Sequence, residues 1–181
     1  MSGDTDTDLA SIVPTGAWWA AKFPTATYAA KLSITSDLLG VFAADANGVN
    51  LLGIVTPTDG ISRTEIKYTP PIAVLQFPAI AGQHWTTSTS ASGVINGVIS
   101  AYTEDYDNLV DASGTVATPY GEFPALRIKT EFTQTVGFLV TKRRTFGFVA
   151  ECFGSIASMV SKDNPAAGEL TAVSELRRLI P

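Results

Sequence analysis

Charged side chains are scarce here: Asp, Glu, Lys and Arg make up 16% of the 181 residues, against a usual share of about a quarter. What charge there is leans acidic, with 17 carboxylates against 12 Lys and Arg, a net −5 and a pI near 4.7. That balance argues against a nucleic-acid partner, because phosphate binding draws on a clustered basic face whose counterion release drives association. The single cysteine, Cys152, excludes an internal disulfide and a Cys-rich metal site, and the single histidine, His84, excludes the two-His zinc motifs. No spacing ties the two together as nucleophile and base. In the apolar context FVAECFGSI the thiol is expected to be a small buried hydrophobe. Phosphate loops ahead of a helix and nucleophile elbows are missing as well. With the usual kit for zinc, acyl-transfer and thiol chemistry absent, the chain is expected to be no enzyme and to use neither cofactor nor metal.

Long apolar runs are also missing. Nothing approaches the ~20 residues that a bilayer-spanning helix requires, and the opening Met1-Ser2-Gly3-Asp4 lacks the basic and apolar regions of an export signal. Two readings stay open: a cytosolic protein, or the mature part of an exported one whose signal has been removed. The stretch SGDTDTD resembles the small polar tether that follows a lipidated cysteine in bacterial lipoproteins. It favours the second reading and implies a periplasmic or outer-membrane-associated place in a bacterium, with an N-terminal lipid as anchor. Asp4, Asp6 and Asp8 have the rhythm of a calcium loop, but Leu9 stands where that loop needs Gly and Thr15 where it needs a bidentate Glu. Residues 1–16 therefore read as a flexible acidic tether, and residues 17–181 as a single β domain. A domain of that length buries roughly 70% of its unfolded surface, enough for a core without staples.

What is present is the two-residue period of strands. In residues 117–132, Pro119, Gly121 and Pro124 mark a corner, after which Leu126, Ile128, Thr130 and Phe132 alternate with Arg127, Lys129 and Glu131. Tyr28, Ala30, Leu32 and Ile34 alternate with Lys31 and Ser33 in the same way. Asp45-Ala46-Asn47-Gly48 joins two further runs, and its Asn-Gly pair predicts a hairpin because both residues accept positive φ. Residues 62–68 predict a strand ending at Pro70-Pro71, residues 72–77 a short buried strand, and residues 94–102 a strand with Gly97 inside it. The Ser/Thr-rich residues 86–92 fit either a polar strand or a loop. Further strand-like runs cover 115–118, 125–132, 136–141, 145–153 and 156–160, and 169–179 fits both a helix and a strand period, with strand preferred.

The sum predicts an all-β or β-dominated α+β fold: a strongly curved, half-barrel-like antiparallel sheet of about ten strands with little helix. Gly53, Gly97, Gly137 and Gly147 would ease its curvature.

Three groups of residues invite a functional reading. Trp18, Trp19, Phe77, Trp85, Phe123 and Phe146 are candidate walls of an apolar ligand groove, and equally candidates for sealed core. Glu104, Asp105, Asp107 and Asp111 form an acidic cluster that could hold a cation or serve as an acid–base pair, although EDYDN also suits a solvated turn. Lys142-Arg143-Arg144 reads as a charged hairpin tip, with an anionic-lipid or partner contact as the alternative.

The order of Phe77-Pro78, Gly82 and Trp85, then Pro119, Gly121 and Phe123, then residues 146–153 ending in Gly154, resembles exported bacterial proteins of the lipoprotein-carrier superfamily. The resemblance covers roughly residues 60–181 and implies a half-barrel sheet that holds lipid acyl chains on its concave face. Clear amphipathic lid helices, part of the simplest version of that plan, are missing here, and no catalytic residue carries over. The expected function is thus non-catalytic binding of a lipid or other hydrophobic small molecule in the cell envelope. The alternative is a structural or protein-interaction module with a filled core and no ligand.

Overall fold

The structure, a computed structural model, describes residues 12–33, 36–162, 168–170 and 172–179. The calcium-like run from Asp4 to Asp8 and the end of the chain at Ile180 lie outside them. Among the described residues ten strands succeed one another: β1 Tyr28–Ser33, β2 Ser36–Asp45, β3 Gly48–Val55, β4 Glu65–Gln76, β5 His84–Ile95, β6 Val98–Thr118, β7 Gly121–Val136, β8 Leu139–Ala150, β9 Gly154–Ser161 and β10 Val173–Arg178. They form one antiparallel sheet in sequence order, with β1 and β10 at its edges. Helix among the described residues is confined to one short 3-10 turn, Ala20–Lys22. The all-β expectation is met, and the C-terminal segment is a strand.

The residues pack as two compact units. One comprises the chain up to Phe77 together with Thr89–Ala101; the other comprises Pro78–Ser88 and the chain from Tyr102 onward.

In the first unit the 3-10 turn sets Trp19 and Phe23 edge to face, ring centroids 6.5 Å apart. Ala29, Leu39, Val41, Leu52 and Val55 close over them. Leu52 reaches this core because the β2–β3 register slips there, from Val41↔Gly53 to Phe42↔Leu51, the extra residue of a bulge. Each fully buried side chain of this size stabilises by about 1.5–3 kcal/mol. In β1 the deeply buried residue is Ala29; Tyr28 stacks on Phe42 on the other side of the alternation. Ile12, expected in the loose arm, exchanges two backbone hydrogen bonds with Ala29.

Several local expectations are corrected. Pro70 and Pro71 lie inside β4 and do not end it. The β3–β4 ladder leaps from Gly53↔Lys67 to Leu51↔Ile72, and the β4–β5 ladder stops at Thr69↔Ser90, so neither proline is asked for a ladder N–H. Gly97 is no strand residue: Asn96 (φ +50) and Gly97 (φ +80) are the turn between β5 and β6, the arrangement in which both central residues need positive φ. The Asn47-Gly48 hairpin forms on different grounds. Its turn residues are Ala46 and Asn47, and the Asp45 carboxylate accepts from the N–H groups of Asn47 (2.7 Å) and Gly48 (3.2 Å).

In the second unit β6 and β7 make a long hairpin that slips at Asp111, from Val110↔Ile128 to Ala112↔Arg127. EDYDN is therefore strand interior and no turn. The β7–β8 ladder runs unbroken from Leu126↔Val149 to Val136↔Leu139, so Lys142-Arg143-Arg144 lies within β8. The hairpin tip is Gly137-Phe138, with Gly137 at φ +59. Cys152, expected to be buried, is exposed at φ +66 in the turn between β8 and β9, which Phe153 closes by donating its N–H to Ala150 O. The Ser/Thr-rich stretch is strand β5, in which Trp85, Thr87, Thr89 and Ala91 point inward and His84, Thr86, Ser88 and Ser90 outward. Phe123, Ala125, Ala150 and Ile156 form a core cluster, flanked by Val116, Phe148 and Leu179.

Candidate functional site

The strand period sorts the acidic cluster before any chemistry can gather in it. Glu104 is buried, Asp105 and Asp107 lie on the opposite face of the strand and are exposed, and Asp111 sits in the bulge. Along an extended strand Glu104 and Asp111 are roughly 23 Å apart, so the four do not converge on one ion or one bond. Most are already engaged. Tyr106 donates its hydroxyl to Glu104 Oε2 (2.8 Å) and Gln134 donates Nε2 to Glu104 Oε1 (2.8 Å). His84 Nε2 lies 2.7 Å from Asp107 Oδ1 at the surface. Asp111 receives both arms of Arg127, Nε to Oδ1 and Nη2 to Oδ2, each at 2.9 Å. No group of three metal-ligating side chains is found among the described residues.

Arg127 is the hub of this network. Its guanidinium also donates to Glu169 through Nη1 (2.9 Å) and Nη2 (3.0 Å), and its Cζ stands 4.5 Å from the centroid of the Phe146 ring. The hydrogen bonds to Asp111, then those to Glu169, raise its pKa above the ordinary guanidinium value. Arg144 in β8 is buried too, donating Nε to Glu131 Oε1 (2.6 Å) and Nη1 to the carbonyl of Gly168, while Ser161 Oγ accepts from its backbone N–H. Two arginines from neighbouring strands thus hold residues 168–169 against the sheet. Burial, and after it the charge and hydrogen bond of Glu104, push the Tyr106 phenol well above its ordinary pKa; burial alone raises Tyr28. These arrangements tie neighbouring strands, and residues 168–169, to one another.

The six candidate wall aromatics are divided between the two units. Trp18, Trp19 and Phe77 belong to the first unit, Trp85, Phe123 and Phe146 to the second. Trp19 and Phe146 are 1% exposed, Trp85 6% and Phe123 7%. Trp18 is half-buried, donates Nε1 to Thr56 O (3.0 Å), and carries Lys22 and Arg63 over its ring at 5.6 and 5.9 Å. Phe77 is exposed. A depression of about 170 Å³ lies in the second unit, lined by residues 112–116 with Ala125, Arg127 and Phe148. It is smaller than the ~300 Å³ at which small-molecule sites begin.

Exposed apolar side chains concentrate at loops and hairpin ends. In the first unit Ile61 stands out from the β3–β4 loop and Val98 and Ile99 from the start of β6. These two places adjoin, because Gly97 donates its N–H to Arg63 O, and a Cβ on Gly97 would come within 2.2 Å of Ile61 O. In the second unit the β7–β8 tip exposes Val136, Phe138, Leu139 and Val140 in five consecutive positions, Phe138 fully. The expected charge cluster comes directly after it, Lys142 and Arg143 exposed and Arg144 turned inward. Charge alone assigns the turn to the cations. The usable signal was Gly137, the one residue of 136–144 suited to the first position of a tight hairpin turn.

No protein-family model matches the chain, and neither a curated protein nor a solved structure is similar to it at a significant level.

Proposed function

We propose that this chain is a non-catalytic interaction module, a β scaffold that acts through the apolar ends of its hairpins. The observation that carries this reading is the distribution of large apolar side chains: Trp19 and Phe146 at 1% exposure inside, Phe138 and Ile61 at 96% or more outside. Single exposed apolar residues are ordinary, but a run of four around one turn is the kind of patch that marks a contact surface. The engaged acids of β6 support a role without catalysis. For the expected lipid ligand an accessible apolar wall is required, and four of the six candidate aromatics are at 7% exposure or less, which favours the module over the carrier. Native mass spectrometry of the chain purified from bacterial envelopes tests the choice. The bare protein mass is expected under gentle conditions; a stoichiometric added mass of a phospholipid or fatty acid would return the function to carriage of a lipid, as the lipoprotein-carrier resemblance implies.

A further inference from the structure

The β7–β8 hairpin combines two properties that no other exposed patch among the described residues shares. Its tip is apolar, Val136, Phe138, Leu139 and Val140, and every charge on β8 itself is positive. Arg144 is committed to Glu131 and Gly168, whereas Lys142 and Arg143 are exposed and form no ion pair among the described residues. Register places Lys142 beside Thr133 and Arg143 beside Phe132, so the two cations project from opposite faces of the hairpin. The nearest acid on the same row of the sheet as Lys142 is Asp105, across β7 on β6. In a chain of net charge −5, this hairpin is a local basic collar behind a hydrophobic point.

We infer that the β7–β8 hairpin docks on an anionic lipid surface, Phe138 and Leu139 entering the acyl boundary while Lys142 and Arg143 meet the headgroup phosphates. This rests on the reading of the chain as an interaction module and names the partner of one of its surfaces. Dimensions agree: four residues of strand separate Phe138 from Lys142 by roughly 13 Å, and an apolar element inserted about 5–10 Å below the headgroups leaves long cationic side chains at the phosphate level. Aromatic and aliphatic side chains supply the apolar term, and each cation adds attraction to an anionic leaflet that salt screens. A second copy of this chain fits less well, because pairing tip to tip would bring two Lys142–Arg143 collars together.

The test uses the full chain in flotation assays with vesicles of phosphatidylcholine, with and without phosphatidylglycerol, at low and high salt. Wild type is expected to float with the anionic vesicles and to release as salt rises. The double substitution Phe138→Ser with Leu139→Ser is expected to weaken that binding about tenfold or more, a loss of about 1.4 kcal/mol or more. Lys142→Gln with Arg143→Gln is expected to abolish the preference for anionic over neutral vesicles. All four side chains are exposed, so unchanged circular dichroism and melting separate lost docking from lost folding. Wild type that ignores both vesicle types, or binding indifferent to both double substitutions, overturns the proposal. Self-association in solution that depends on Phe138, without vesicle binding, overturns it in favour of a second copy and leaves the module reading standing. A stoichiometric lipid in the native mass spectrum, with vesicle binding indifferent to the tip, removes both.

Discussion

Arg127 joins three parts of the second unit through one rigid group: Asp111 in the β6 bulge, Phe146 on β8 and Glu169 beyond β9. Its worth lies mainly in the Asp111 fork, since that carboxylate is largely buried while Glu169 is mostly solvated. Arg127→Ala, which leaves Asp111 without its partner, is expected to cost about 2–3 kcal/mol and to lower Tm by roughly 5–10 °C. Arg127→Lys, which keeps the charge and loses the fork, should fall between the two. A melt of Arg127→Ala within a degree of wild type would show the network to be incidental.

Tyr106 gives a prediction about pH. Burial and Glu104 hold its phenol above the ordinary value near 10, so the folded chain keeps a proton that the unfolded chain releases. Stability from this group is complete below about pH 10 and declines above it, by up to about 1.4 kcal/mol per pH unit for the one proton. Tyr106→Phe removes the titrating group, and its stability curve in urea should be flatter than wild type between pH 10 and 11. Parallel alkaline limbs would count against the assignment.

At the scale of the element, two strand glycines look alike in the sequence and differ in space. A Cβ on Gly53 of β3 would lie 2.2 Å from Ile66 O and 2.5 Å from the Phe23 ring, whereas one on Gly147 of β8 meets nothing within 4 Å. Gly53→Ala is accordingly expected to destabilise by about 1–3 kcal/mol through overpacking against backbone, and Gly147→Ala to be neutral or stabilising by up to about 1 kcal/mol, both measured by urea unfolding. Equal effects would mean that the close approach of β3 to β4 is not what selects glycine.

The hairpins show where strand reading succeeds and fails. The alternation over residues 125–132 lies within β7, and the one from Tyr28 to Ile34 gives β1 as far as Ser33, Ile34 lying outside the described residues, because a pleated backbone sends successive side chains to opposite faces whatever lies beyond it. Turns were less legible. Asn47-Gly48 and Asn96-Gly97 carry the same dipeptide, yet only the second is a turn with both residues at positive φ; in the first, Asp45 takes over the capping of the turn amides. Lys142-Arg143-Arg144 looked like a tip because charge runs are usually solvated. Two of its members are, but the third is drawn inside by Glu131 and Gly168, partners that local sequence does not reveal.

On the scale of the whole molecule, a meander of ten strands in sequence order needs only hairpin connections, and its two edges must be guarded. β1 carries Lys31 and takes the Ile12 bridge, and β10 carries Arg177 and Arg178, devices that discourage a further strand from adding. The candidate wall aromatics have two possible fates, groove or core. Four of them are packed with little exposure, and the apolar surface offered outward is at Phe138, Ile61 and Ile99, which no periodicity marked out.

By itself the sequence determined the secondary structure class, a count of about ten strands and the presence of one histidine and one cysteine. Each stems from short-range geometry or from composition: the two-residue period, the turn residues, one histidine and one cysteine. Only the tertiary structure decided which face each strand buries, that the acids of β6 are parted by the pleat and three of the four claimed by Tyr106, Gln134, His84 and Arg127, and that apolar side chains remain at the hairpin ends. The reason is physical: burial and ion pairing depend on partners from other strands, and a one-residue slip, such as those at Leu52 and Asp111, turns the downstream side chains to the opposite face.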